Sequence, residues 1–187
     1  MKLYIKNMVC NRCKMVVKTE LEKLGFNPIS VQLGEVELLQ ENISLAEVEA
    51  IQNVLSRFGF ELLSNKKKQI TAQIKSTIIE LVHYSTSVLK INLSAYLSQK
   101  LDLEYAYLSA IFSETEHNTI EKFFIQQKIE KVKELLAYGE KSLGEIAYQL
   151  NYSSVAHLST QFKKVSLQTP SQYKTLNNAG RKTLDQI

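Results

Sequence analysis

The sequence predicts an α+β protein in two parts. A βαββαβ domain occupies residues 1–64, a polar linker 65–69, and an all-helical domain 70–180, with a tail at 181–187. Three observations predict this. In the first 64 residues short β-favouring runs alternate with segments of helical period. The run Ser64-Asn65-Lys66-Lys67-Lys68-Gln69 is polar, charged and short, as a linker should be, and only helical patterns follow it. The helical part also repeats itself at a spacing of 49 to 50 residues.

In the first part, Leu3-Tyr4-Ile5 opens as a strand. Cys13, Val17, Leu21 and Leu24 then recur at helical spacing, and Gly25 ends that helix. Ile29–Leu33 and Val36–Leu39 read as two strands separated by a Gly34-Glu35 turn. Ser44-Leu45-Ala46-Glu47 is a capping box, in which hydroxyl and carboxylate satisfy the orphan amides of a helix start. Val48, Ile51, Val54 and Leu55 mark the buried face of that helix. Phe58-Gly59-Phe60 stops it, and Phe60–Leu63 returns as a last strand, which completes the ferredoxin-like order.

In the second part, Ile70, Ile74, Ile78 and Leu81 mark a first helix, followed by helices at about Ser94–Lys100 and Glu104–Ser113. A helix of about 18 residues, Thr119 to Leu136, would be roughly 27 Å long at 1.5 Å per residue. Ser142-Leu143-Gly144-Glu145 is a second capping box. Further helices start at about Ser154 and at Pro170, the latter with Thr169 as cap and proline at its first position.

The repeat pairs Leu97, Leu101, Asp102 and Leu103 with Ile146, Leu150, Asn151 and Tyr152, then Leu108-Ser109 and Phe112 with Leu158-Ser159 and Phe162. Helix, tight turn, helix therefore occurs twice, and the long helix joins the copies. Two such helix-turn-helix units can present two reading helices about one DNA turn, roughly 34 Å, apart. Leu108, Phe112, Leu158 and Phe162 face inward in any such unit.

Composition narrows the function classes. With 44% hydrophobic residues among 187, the chain can bury a core in either part. It has no apolar run near the roughly 18 residues of a membrane span and no secretory signal pattern, so a cytoplasmic location is expected. Residues 1–64 carry seven Lys or Arg against eight Glu, and residues 65–187 sixteen against eleven acidic residues, so the basic excess lies in the helical part. His83, His117 and His157 are scattered, and no phosphate loop, nucleophile elbow or carboxylate pair occurs, so an enzyme is not expected.

From about Asn92 to Lys174 the chain resembles the AraC family of transcriptional regulators. The resemblance rests on Glu145-Ile146-Ala147-Tyr148-Gln149-Leu150-Asn151-Tyr152, on Ser153-Ser154-Val155-Ala156-His157-Leu158-Ser159-Thr160-Gln161-Phe162-Lys163-Lys164, and on the closing Thr169-Pro170-Ser171-Gln172-Tyr173. It implies that Ala156, His157 and Thr160 meet base edges in the major groove while Ser153, Ser154, Lys163 and Lys164 hold phosphates. His157 reads equally as a surface histidine. In the first unit Tyr105, Ala106, Ser109 and Ala110 are the matching DNA-facing positions. The sequence departs from the family at Ala110 and Thr160, where an arginine is usual, and at Leu167-Gln168, where a glycine is usual. The first unit is also acidic: between Lys100 and Glu121 one Lys faces Asp102, Glu104, Glu114, Glu116 and Glu121. Acidic charge near phosphates opposes binding, which leaves the second unit as the expected source of affinity.

Cys10 and Cys13 are the only cysteines and stand three apart between the first strand and first helix, which points to metal or redox chemistry. The segment Met8-Val9-Cys10-Asn11-Arg12-Cys13, with Phe58-Gly59-Phe60, resembles the metal loop of heavy-metal-associated, copper-chaperone-like domains, with Asn7 where a glycine is usual and Val9 where a polar residue is usual. Two soft thiolates suit Cu(I), whereas tetrahedral zinc wants four ligands. Met8 reads as a core residue beneath the loop. Thiol redox chemistry, or a partner surface whose cysteines are idle, remain alternative readings of the pair.

The expected function is a sequence-specific DNA-binding regulator responsive to Cu(I) or another soft metal ion at Cys10 and Cys13, with no organic cofactor. Its expected partners are double-stranded promoter or operator DNA, RNA polymerase and a second copy of the chain, and no membrane. The alternative is a metal-trafficking or partner-binding adaptor whose helical part binds protein. Promoter mobility shifts separate the two.

Overall fold

The computed structural model describes residues 1–85 and 91–175, and the tail expected at 181–187 lies outside them. Packing divides the chain into two units. One is Met1–Thr77 with Leu97–His117, and the other is Ile78–Tyr96 with the chain from Asn118 onward.

The first unit opens with β1 (Lys2–Lys6), α1 (Asn11–Lys23), β2 (Pro28–Gln32), β3 (Glu35–Leu38), α2 (Leu45–Ser56) and β4 (Glu61–Leu62). The strands form one antiparallel sheet in the order β2-β3-β1-β4. In the central strand Leu3 lies opposite Val36 and Ile5 opposite Leu62. Leu3 and Ile5, two apart, point to the face that Val17 and Leu21 of α1 and Ile51 and Leu55 of α2 cover. Met8 joins this core, as its place under the loop led us to expect. Ser44 and Glu47 make both bonds of the capping box that starts α2.

The hairpin differs from expectation by one residue: the strands end at Gln32 and resume at Glu35, so the turn is Leu33-Gly34. Glu35 joins the strand because it pairs with Gln32 on one side and with Tyr4 of β1 on the other. Gly34 has φ +78°, and a Cβ there would lie 2.5 Å from the Ser76 hydroxyl oxygen, so only glycine fits in the turn.

A larger correction concerns the expected linker. Residues from Lys66 onward are helical, opening α3 (Lys66–Ile79), which passes into a π-helical turn at Glu80–Tyr84. The Asn65 side chain accepts hydrogen bonds from the Lys67 and Lys68 amides at 2.9 and 3.3 Å, which is how an N-cap starts a helix. Polarity here reflects an exposed first turn, not an unstructured run. α3 is then tied to the sheet, where the Gln69 amide donates to the Leu63 carbonyl at 2.7 Å and the Gln73 amide to Glu35 at 3.1 Å.

α4 (Leu93–Leu101) and α5 (Tyr105–Glu116) make the first helix-turn-helix unit. The residues of α5 pack with α3, since Thr71 and Thr115 share a 2.7 Å hydrogen bond.

The second unit contains α6 (Ile120–Tyr138), α7 (Leu143–Gln149), α8 (Val155–Ser166) and α9 (Pro170–Thr175). Thr119 caps α6, the Ser142–Glu145 capping box starts α7 and Ser154 caps α8. Ile129, Val132 and Leu136 of α6, Ile146 of α7, Leu158 and Phe162 of α8 and Tyr173 of α9 form one core, with the Phe162 and Tyr173 rings edge to face at 5.7 Å. Among the described residues no helix is long and apolar enough to cross a membrane.

The repeat extends to backbone conformation. The turn residues Asp102 and Asn151 have φ of 52° and 53°, and the residues closing α5 and α8, His117 and Leu167, have φ of 50° and 62°. Asp and Asn enter this left-handed region readily, whereas a leucine there is strained by about 1–2 kcal/mol. Leu167 is also 87% exposed, so its side chain buries almost nothing that would compensate. Leu167→Gly should therefore raise the unfolding free energy by about 0.5–1 kcal/mol after glycine's own entropy cost. Urea unfolding read by circular dichroism checks this, and an unchanged or lower midpoint contradicts it.

Candidate nucleic-acid interface and thiol pair

α8 is amphipathic because Leu158 and Phe162, four apart, hold one face in the core. Ala156, His157, Thr160, Lys163 and Lys164 are all exposed, as are Ser153 and Ser154 before the helix. Ala156, Thr160 and Lys163 follow one another at spacings of four and three and form a single row along the helix. Lys163 and Lys164 stand in its last turn.

The start of α8 is braced from below. The Tyr152 hydroxyl donates to the Gln161 side-chain oxygen at 2.8 Å, and the Tyr152 ring meets His157 edge to face at 5.4 Å. Burial pushes the Tyr152 hydroxyl pKa upward, so it stays protonated and remains a donor. His157 Nδ1 is 3.0 Å from the Ser153 hydroxyl, while its backbone amide donates to Ser154 at 3.0 Å. These contacts hold the imidazole in place at the exposed start of α8.

Sequence reasoning missed Lys128. Its ammonium lies 3.7 Å from the Tyr152 ring centroid and 5.5 Å from that of Phe124, four residues earlier. Burial pushes its pKa down to about 8, and the two aromatic faces oppose that shift by favouring the cation. The Phe124–Lys128 spacing was visible in the sequence, but the approach to Tyr152 was not.

On α5, Ala106 and Ala110 are exposed and Tyr105 and Ser109 half-buried. Glu104 occupies the N-cap without a side-chain capping bond, unlike Ser154 at the same place in the second unit. The acidity counted in this unit is partly neutralised. Glu114 is paired with Lys67 at 2.6 Å and Glu116 with Lys75 at 3.1 Å, both lysines coming from α3.

The second site is the loop between β1 and α1. Cys10 is the N-cap residue of α1, and its sulfur is 3.3 Å from that of Cys13. Asn7 takes φ +71° and donates from its side chain to the Gly59 carbonyl at 2.9 Å, which brings the Cys loop and the Phe58-Gly59-Phe60 turn together. Asparagine is one of the few residues that accepts this backbone conformation, so it serves where glycine is usual. Burial raises the Cys10 thiol pKa, but amide hydrogen bonds from Cys13 and Arg12, the Cys13 thiol and the Arg12 charge outweigh it and hold the pKa below the usual thiol value. Burial, with the neighbouring Cys10, pushes Cys13 the other way. Among the described residues no three or more His, Cys, Asp or Glu stand together as a metal cluster. The Cys10 and Cys13 sulfurs, 3.3 Å apart, are close enough for both to reach one soft ion.

Residues 97–175 match the family described as a helix-turn-helix domain, and residues 1–96 lie outside the matched span. The chain is similar to the C-terminal domain of AraT, a response regulator from Geobacillus stearothermophilus, at 24% identity over 64% of this chain and 94% of that one, with a TM-score of 0.51. It is also similar to the C-terminal domain of the two-component response regulator yesN from Fusobacterium nucleatum, at 34% identity over 55% of this chain and 98% of that one, with a TM-score of 0.47. A third similar structure is a transcriptional regulator of the AraC-type DNA-binding-domain class from Chromobacterium violaceum, at 14% identity over 59% of this chain and 96% of that one, with a TM-score of 0.49. No curated protein matches the chain.

Proposed function

Because residues 97–175 are an AraC-type helix-turn-helix DNA-binding domain, we propose that the chain is a transcription regulator that reads promoter DNA mainly through α8 and is regulated at the Cys10–Cys13 pair. The observation that carries the DNA reading is the duplicated helix, left-handed turn and helix over the matched span. α8 has a capped start, a braced histidine and two terminal lysines, whereas the matching places on α5 hold Ser113 and Glu114. Phosphate affinity follows cation placement, so the second unit dominates. The rival in which the helical part binds protein drew its support from the acidity of the first unit, and the α3 lysines remove much of it.

For the N-terminal part we adopt a ferredoxin-like, heavy-metal-associated reading, supported by the βαββαβ order, the β2-β3-β1-β4 sheet and the loop position of the thiols. Cys10 and Cys13 would hold a soft ion such as Cu(I), which supplies thiolate cross-linking of the loop to α1. Cys10, with its lowered pKa, is the readier ligand. The same sulfur contact and the opposed pKa directions also favour a dithiol that oxidises to a disulfide, a second reading of the site. Partners under this function are operator DNA, RNA polymerase and a second copy of the chain.

Regulation requires the ion to bind two states of the protein unequally. Mobility shifts with the protein's own upstream DNA at physiological salt, with and without Cu(I), test it. Wild-type affinity should change by about fivefold or more on adding Cu(I), the lower end of ordinary allosteric coupling. The Cys10→Ser, Cys13→Ser variant should show no change. Equal affinity in all arms rules out metal sensing and spares DNA binding. A Cu(I)-independent response to a mild oxidant selects the dithiol reading.

A further inference from the structure

At the repeat spacing of 50, the residues of α5 that correspond to Lys163 and Lys164 are Ser113 and Glu114, so α5 itself ends without the paired cations of α8. A cation nevertheless stands at that place. Lys67, in the first turn of α3, lays its ammonium 2.6 and 2.7 Å from the two carboxylate oxygens of Glu114. Glu114 is four residues beyond Ala110, which is four beyond Ala106, so it lies at the end of the row proposed to face DNA. Thr115, next along α5, turns toward α3 and bonds Thr71.

The position of Lys67 is set by the fold. Asn65 caps its turn, Gln69 ties α3 to Leu63, and Thr71 and Lys75 tie it to Thr115 and Glu116. The Lys67 and Glu114 side chains remain 52% and 61% exposed. An ammonium has three donors, and two point at Glu114, which leaves one for an outside acceptor. Lys66 and Lys68 flank it, both exposed. An exposed ion pair of this kind contributes little to stability, so its value to the protein lies elsewhere.

We propose that Lys67, delivered by α3, is a DNA-phosphate contact of the first helix-turn-helix unit, taking the place that Lys164 holds in the second. The inference rests on the DNA-binding reading above. It makes the first turn of α3, which the sequence presented as a linker, part of the interface.

The test is the salt dependence of binding by the full chain to a duplex of its own upstream region. Lys67→Ala should weaken binding about fivefold at 0.15 M salt and reduce the slope of log affinity against log salt by about 0.9, the loss of one phosphate contact. Glu114→Lys in the Lys67→Ala background should restore both. Glu114→Gln should tighten binding in both backgrounds by removing a carboxylate near the phosphates, and the slope should stay about 0.9 steeper when Lys67 is present than when it is alanine. Lys75→Ala removes the other α3–α5 ion pair and should leave the slope unchanged. A Lys67→Ala slope equal to wild type, or an equal loss in Lys75→Ala, overturns the proposal while leaving DNA binding intact. Absence of salt-dependent binding by wild type overturns the regulator reading and this proposal with it.

Discussion

Reversing both charges at the end of α8, Lys163→Glu with Lys164→Glu, should weaken operator binding by about a hundredfold or more at 0.15 M salt. Each lost phosphate contact accounts for about fivefold at that salt, and two new carboxylates facing phosphates add repulsion. The slope of log affinity against log salt should fall by about 2. Both lysines are exposed, and neither side chain belongs to the core of Leu158, Phe162 and Tyr173, so the variant should keep its melting temperature. Fluorescence anisotropy across a salt series, with a thermal melt as folding control, measures all three. Unchanged affinity with an intact fold would show that the end of α8 does not face the phosphate backbone.

The largest stability effect is expected inside α6. Glu130 and Lys133 are 5% and 6% exposed and joined by a 2.7 Å bond, and the Lys133 ammonium is 5.9 Å from the Tyr173 ring centroid. Lys133→Met removes the ammonium 2.7 Å from the buried Glu130 carboxylate, which should cost about 3–5 kcal/mol. The Glu130→Leu, Lys133→Met pair should recover most of that loss, because an apolar pair of similar volume avoids desolvating two charges. Urea unfolding of the two variants separates them, and a single variant as stable as wild type would show that the Glu130 carboxylate does not depend on Lys133. A loss of this size is a large share of the stability of an ordinary domain, so the single variant should also lose DNA binding through the core beneath α8.

Much of this protein was legible one segment at a time. Ser44 with Glu47, Ser142 with Glu145 and Thr169 before Pro170 announce helix starts because both partners of each capping bond lie within four residues. The core faces followed from helical spacing at Val17, Leu21, Ile51 and Leu55. Asp102 and Asn151 marked the two turns, and both adopt the left-handed backbone that such turns need. Ala156, Thr160 and Lys163 were named by the family resemblance, and all three are exposed while Leu158 and Phe162 lie in the core. The hairpin boundary moved by one residue because Glu35 pairs with Tyr4 of β1 as well as with Gln32, a partner that local turn signals do not show.

What the sequence misrepresented was charge. Lys66, Lys67 and Lys68 looked like a solvated linker, and Glu114 and Glu116 looked like a repulsive patch, because each run was judged against its own neighbours. In the fold Lys67 and Lys75 meet those glutamates across separations of 47 and 41 residues. Lys128 under Tyr152 is a further pairing of this kind.

The sequence by itself therefore determined the order of most elements, the Ser44, Ser142 and Thr169 caps, the repeat and the two thiols at one loop. These depend on hydrogen bonds and periodicities closed within a few residues. Only the tertiary structure decided that α3 begins at the polar run, that Lys67 and Lys75 pair with Glu114 and Glu116 of the first helix-turn-helix unit, and that Tyr152 braces His157 while holding Lys128. Those outcomes depend on which side chains packing brings together, and the Coulomb and cation–π interactions that result act through space without regard to separation along the chain.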